Sequence, residues 1–133
     1  MTASFADTNI LVYAATREAS KAAIANQLLS EAPTISIQVL NEVASVLFSK
    51  YHRSWDEIET FLGLLAKLCE VRPLDLDTHE LGIAIARRHG FHIYDCMIVA
   101  SALRAGCEVL YSEDMHHGLQ LDGLIIINPF IVG

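Results

Sequence analysis

Val109-Leu110-Tyr111-Ser112 and Leu124-Ile125-Ile126-Ile127 decide the fold of this 133-residue chain. The first is a short apolar and aromatic run that reads as a strand. The second is apolar throughout, as expected of a strand buried on both faces of a sheet. Upstream, Thr34-Ile35-Ser36-Ile37 after Pro33 repeats the strand signal, and Ser4-Phe5-Ala6 is a shorter one. Val71-Arg72-Pro73-Leu74 is a strand at best, because Pro73 lacks a ladder donor.

Helical patterns fill the intervals. Asn9 to Ala15 and Lys21 to Leu29 are rich in Ala and Leu. Gln38 to Lys50 carries Val39, Leu40, Val43, Val46 and Leu47 on one stripe. Ser54 and Glu57 frame a capping box for a helix running to about Leu68. Asp77 or Thr78 is expected to cap a helix that stops at Gly90, with Arg87, Arg88 and His89 in its last turn. Asp95 is expected to open the next helix, Cys96 to Ala105, with Tyr94 before it favouring partial burial. Strands alternating with helices imply a parallel sheet covered on both faces. The expected fold is therefore a single α/β domain over 1–133, a three-layer α/β/α sandwich with a short, mainly parallel central sheet.

Composition limits the function. Hydrophobic residues make up 53% of the chain, which excludes a disordered segment and leaves apolar surface for an interface. No apolar run approaches the roughly 20 residues of a membrane-spanning helix, and the start shows no signal-peptide pattern. The net charge of −7 excludes a protein that coats nucleic acid by charge alone. Cys69, Cys96 and Cys107 form no CxxC and no zinc spacing, so the expectation is a reduced, cytoplasmic chain with three core thiols.

Four of the 16 acidic residues stand apart. Asp7 and Asp114 follow expected strands, where open α/β sheets bind ligands. Glu42 lies at the edge of the apolar stripe of its helix, and Asp95 begins a strongly apolar one. Taken singly, Asp7 and Asp95 read as N-caps, Glu42 as a solvated helix residue and Asp114 as a loop residue. Taken together they would repel one another unless a cation lay between them, and oxygen-only ligation suits Mg²⁺ or Mn²⁺.

Phe5-Ala6-Asp7-Thr8-Asn9, Asn41-Glu42-Val43, Tyr94-Asp95-Cys96-Met97-Ile98-Val99-Ala100 and Ser112-Glu113-Asp114-Met115 occur in that order. With His116-His117-Gly118 and Ile127-Asn128-Pro129-Phe130, they resemble the PIN-domain family, and within it the VapC-type ribonuclease toxins of toxin–antitoxin pairs. The resemblance runs from Ala3 to Phe130. It implies an RNA-cleaving domain with an acidic Mg²⁺ or Mn²⁺ site. Asp7, Glu42, Asp95 and Asp114 match the four catalytic, metal-binding acids of the family. Asn9 and Ser112 match its supporting polar positions, with Ser112 where Thr is commoner. The partners implied are an RNA substrate, a cognate antitoxin and, from the apolar excess, a second copy in a homodimer.

Arg87 and Arg88 are the best candidate RNA contacts, although both equally suit a helix C-terminus. His116 and His117 read as loop residues whose side chains diverge, and His52, His79, His89 and His92 show no ligand spacing. Two other readings compete. A non-catalytic PIN-like binding module would not need the intact acids. A phosphoacceptor receiver domain needs a lysine just past a late strand, whereas Lys21, Lys50 and Lys67 all fall in expected helices.

Overall fold

The computed structural model describes residues 3–131. Met1, Thr2, Val132 and Gly133, which the single-domain expectation includes, lie outside the described residues. The chain runs β1 (Ser4–Ala6), α1 (Thr8–Thr16), α2 (Ala19–Ser30), β2 (Thr34–Ser36), α3 (Ile37–Ser49), α4 (Trp55–Leu68) and β3 (Glu70–Arg72). It continues through α5 (Leu76–His89), α6 (Ile93–Arg104), β4 (Val109–Tyr111), β5 (Gln120–Leu121) and β6 (Leu124–Ile127).

The strands form one sheet in the order β3-β2-β1-β4-β6-β5. Every pairing is parallel except β5 with β6. Successive residues of a strand point to opposite faces, and Phe5 and Ala6 of β1 are both fully buried. The centre of the sheet is therefore covered on both sides. Helix α1 packs against both α2 and α3, and α3 against α4, while α5 pairs with α6, which lies against β2 and β4. This is the α/β architecture expected from the alternation of strands and helices. Among the described residues no helix is long and apolar enough to cross a membrane. All three cysteines are buried and unpaired.

Several boundaries differ from the sequence reading, each for a local reason. Ile37 does not extend β2. Ser36 ends the strand and caps α3 by accepting from the Val39 amide, so helix begins at Ile37. Strand β3 ends at Arg72 and excludes Pro73 and Leu74. The cap of α5 is Asp75, whose carboxylate accepts from the Thr78 amide and hydroxyl; Asp77 and Thr78 lie inside the first turn. Gly90 does end that helix, with φ of 72° in the left-handed region. Helix α6 starts at Ile93, capped by His92 Nδ1 accepting from the Tyr94 amide. Tyr94 is itself 62% exposed, while Asp95 beside it is partly buried, as expected.

Strand β4 stops at Tyr111, one residue before Ser112. In β6, Leu124 and Ile126 are buried while Ile125 and Ile127 are only half-buried. Strand β5, absent from the sequence reading, pairs antiparallel with β6 at the edge of the sheet. The turn Asp122-Gly123 joins β5 to β6, with φ of 48° and 88°. That conformation is the one an Asp-Gly hairpin favours.

The order of the sheet fixes where a site can form. From β1 the chain moves outward to β2 and β3, then returns to the other side of β1 as β4. The carboxyl ends of β1 and β4 therefore flank a topological switch point, the usual ligand crevice of such sheets.

Candidate active site

Asp7 follows β1 at this switch point, and its amide donates to Tyr111 O of β4 at 2.9 Å. Its side chain caps α1, with Oδ1 accepting from the Thr8 amide at 2.7 Å. Ser112, just past β4, donates its hydroxyl to Asp7 Oδ2 at 2.8 Å. Ser112 is itself fully buried. Asp7 is thus both a helix cap and a carboxylate clamped between two strand ends. It is only 6% exposed.

Asn9, in the first turn of α1, extends the clamp. Its Nδ2 donates to Asp114 Oδ2 at 3.2 Å and to Asp7 Oδ2 at 3.5 Å. Its Oδ1 accepts from the Glu113 amide at 3.1 Å, which ties the loop after β4 to α1. The Glu113 carboxylate belongs to a different cluster. It is held by Lys21 and by the Tyr13 hydroxyl. Lys21 also lies over the rings of Tyr13 and Phe130.

Glu42 reaches the same place from α3. Its Oε2 accepts from the Thr8 hydroxyl at 2.9 Å and its Oε1 from Gln38 Nε2 at 2.8 Å. Gln38 Nε2 also lies 3.2 Å from Tyr94 O, linking Glu42 to the start of α6. Asp95 lies in the first turn of α6, and because His92 is the cap, Asp95 is free of that task. Asp7, Asn9, Glu42, Asp95 and Asp114 all line one cavity of about 360 Å³.

The electrostatics follow from this convergence. Burial pushes the Asp7 carboxyl up to about 6, against the bonds from Ser112 and Thr8 that favour ionisation; the charges of Glu42 and Asp95 add to the rise. Asp95 is also raised, first by burial and then by Asp114 and Glu42, with His92 opposing. Among the described residues, no three His, Cys, Asp or Glu side chains stand close enough to hold an ion as they lie. Glu42 and Asp114 are engaged by Thr8, Gln38 and Asn9 instead, and carboxylates without a cation between them repel. The donor chemistry nevertheless fits a hard divalent ion, since every candidate ligand is oxygen.

Arg87 and Arg88 are not part of this cavity. Both are exposed in the last turn of α5, and Arg88 lines a different groove with Leu103 and Leu121. The cation that does line the acidic cavity is Lys50, the C-cap of α3. His117 turns away, its Nδ1 accepting from the Asn128 amide at 2.9 Å. His92 and His116 instead line a second cavity together with Asp95 and Asp114. Sequence spacing could not reveal this, because α6 and the loop after β4 meet only in the folded chain. The supporting bonds of Thr8 and Gln38 had a weak signal: both sit within four residues of a candidate acid.

The model of the PIN domain matches residues 4–117. The chain belongs to the PIN-domain family. Solved structures share the fold of this PIN domain. A chain in a toxin–antitoxin complex from Klebsiella pneumoniae is 22% identical, covering 98% of this chain and 100% of its own, with a TM-score of 0.74. VapC20 of Mycobacterium tuberculosis, described as a sarcin–ricin loop cleaving toxin, is 18% identical over 84% of this chain and 90% of its own, with a TM-score of 0.70. A chain of VapBC2 from Rickettsia felis, solved with a DNA fragment from its promoter, is 19% identical over 94% and 97%, with a TM-score of 0.69. At these identities the likeness establishes the fold. No curated protein matches the chain in sequence. Family membership removes the receiver-domain alternative.

Ionised Asp7 is a cost to the folded protein. Its folded pKa of about 6 lies above the ordinary 3.8, so the metal-free protein loses stability as pH rises between those values and recovers it on acidification. Asp7→Asn removes the charge while keeping an acceptor for the Thr8 amide, and its amide can donate to Ser112. In EDTA at neutral pH the variant should be about 1 to 2 kcal/mol more stable than wild type. The difference should vanish near pH 4 and shrink with added Mg²⁺. Thermal melts across pH check this; a wild type that is the more stable protein throughout contradicts it.

Proposed function

We propose that this PIN domain is a divalent-metal-dependent endoribonuclease and the toxin of a toxin–antitoxin pair. The observation that carries the reading is the meeting of Asp7, Glu42, Asp95 and Asp114 on one cavity at the β1–β4 switch point. Asp7, Glu42, Asp95 and Asp114 would hold Mg²⁺ or Mn²⁺. Such an ion, when bound, supplies charge neutralisation at a phosphate and a more acidic water.

The chain's own residues do the rest. Ser112 and the Thr8 amide fix the Asp7 carboxylate. Asn9 keeps Asp114 beside it, and Thr8 with Gln38 sets the direction of Glu42. Burial around Asp7 excludes water from its far side. Lys50 offers one positive charge to an RNA phosphate entering the cavity. Hydrolysis at phosphorus with loss of the 3′ oxygen leaves a 5′-phosphate and a 3′-hydroxyl.

Two partners follow from the same features. The uncompensated acidic cavity suits a basic segment of a protein antitoxin, with Arg as its anchor because its fork pairs with carboxylates. Structural neighbours described as toxin–antitoxin complexes support that reading. Exposed apolar side chains, among them Phe48 and Trp55 stacked at 4.7 Å, support a homodimer. An RNA-cleaving toxin of this kind acts in the cytoplasm.

Purified protein freed of antitoxin should cleave RNA with Mg²⁺ or Mn²⁺ and stop with EDTA. Asp95→Asn should lower the rate on the order of a hundredfold or more. It should cost less than about 1 kcal/mol of stability, because His92 caps α6 and Asp95 contributes only a first-turn charge. Cleavage that survives EDTA, or an Asp95→Asn protein with full activity, overturns the reading.

A further inference from the structure

We propose that the cavity beside the acidic one is a pocket for an unpaired RNA base lying next to the cleaved phosphate. The proposal rests on the ribonuclease reading and adds which residues would seat a base beside the cleaved phosphate. The two cavities are adjacent, because Asp95 and Asp114 line both. A phosphate that a divalent ion would hold beside those carboxylates has a nucleoside attached on either side. One neighbouring space is the acidic cavity itself. The other, about 390 Å³, is of a different character.

Val99, Leu119 and Ile126 give this second cavity an apolar lining, and Phe91, His92 and His116 add flat rings to it. These are the groups that recognise bases in single strands, by stacking rather than by charge. Two of these rings pack against neighbours. His89 stacks on Phe91 at 5.3 Å and 13°, and His92 lies 5.4 Å from Tyr94. Phe91 is 37% exposed, so an apolar ring is kept at the surface beside the candidate active site. Gln38 bridges Tyr94 O to Glu42, fixing this aromatic segment relative to the acids.

The pocket also answers the charge problem. A chain at −7, with Arg87 and Arg88 away from the site, cannot hold RNA by phosphate contacts alone. Base stacking is independent of net charge.

The test uses a short single-stranded RNA with phosphorothioate linkages, which slow hydrolysis, and one 2-aminopurine, whose emission falls on stacking. With Mg²⁺, wild type should bind it with quenching, and the same RNA paired to its complement should bind more weakly. Phe91→Ala and His116→Ala should each weaken binding about tenfold, and Phe91→Trp should retain it. On cleavable RNA, both alanine variants should raise KM about tenfold and leave kcat within about twofold. Both residues are at the surface, so the variants should melt as wild type does. Cleavage without dependence on either ring removes the pocket and leaves the nuclease reading. Ring-dependent binding without cleavage keeps the pocket and removes the nuclease reading. An RNA neither bound nor cleaved removes both. Loss of antitoxin binding in the alanine variants, with RNA kinetics unchanged, assigns the rings to the partner protein and overturns the proposal.

Discussion

A buried carboxylate at the switch point of a parallel sheet is the constraint on which the rest of this structure depends. Asp7 must sit where β1 ends, because its amide completes the ladder to β4 and its side chain starts α1. Once there, it is almost sealed from solvent and faces other carboxylates. Its ionised form is stabilised by Ser112 and the Thr8 amide, with a longer bond from Asn9, and these do not offset desolvation. A protein that keeps such a group carries a standing cost. A cation beside Asp7 would remove that cost, and the proposed function has the other acids on the cavity share it.

The surrounding architecture reads as support for that one position. Ser112 is buried because it continues the alternation of β4 on the face of Leu110, and its hydroxyl donates to Asp7. Asn9 uses both ends of its amide, one on the two acids and one on the loop that carries Asp114. Glu113 is drawn off to Lys21 and Tyr13, so its charge is not added to the cluster. Thr8 and Gln38 orient Glu42 with neutral donors, so its charge stays in the cluster and raises Asp7 and Asp95. Asp7, Glu42 and Asp114 thus have neutral partners while all line the shared cavity.

Much of this was legible in the sequence, for reasons specific to particular residues. Ser54 and Glu57 form the capping box their spacing announces, and Gly90 ends α5 in the left-handed conformation. Asp7, Glu42, Asp95 and Asp114 line one cavity because strand ends and helix starts gather on one edge of a parallel sheet. The failures also have physical causes. Asp75, Asp77 and Thr78 all suit an N-cap, and only the backbone turn selects Asp75. Histidine is a poor guess for a cap, yet His92 Nδ1 performs it and frees Asp95. Asp122-Gly123 signalled a hairpin, but β5 has only two residues and gave no periodicity. Arg87 and Arg88 are near Asp95 in sequence, but Gly90 ends their helix before α6 begins, and they do not line its cavity.

The central claim is that ionised Asp7 is relieved by a divalent cation. Calorimetric titration with Mn²⁺ in buffers of different ionisation enthalpy measures this directly, because it counts the protons released on binding. At pH 6, near the Asp7 value, a substantial fraction of Asp7 carries a proton that the ion must expel. Mn²⁺ should therefore bind with proton release at that pH, the release should fade by about pH 8, and Asp7→Asn should abolish it. Binding at pH 6 without proton release, or the same release from the Asp7→Asn protein, would contradict the account.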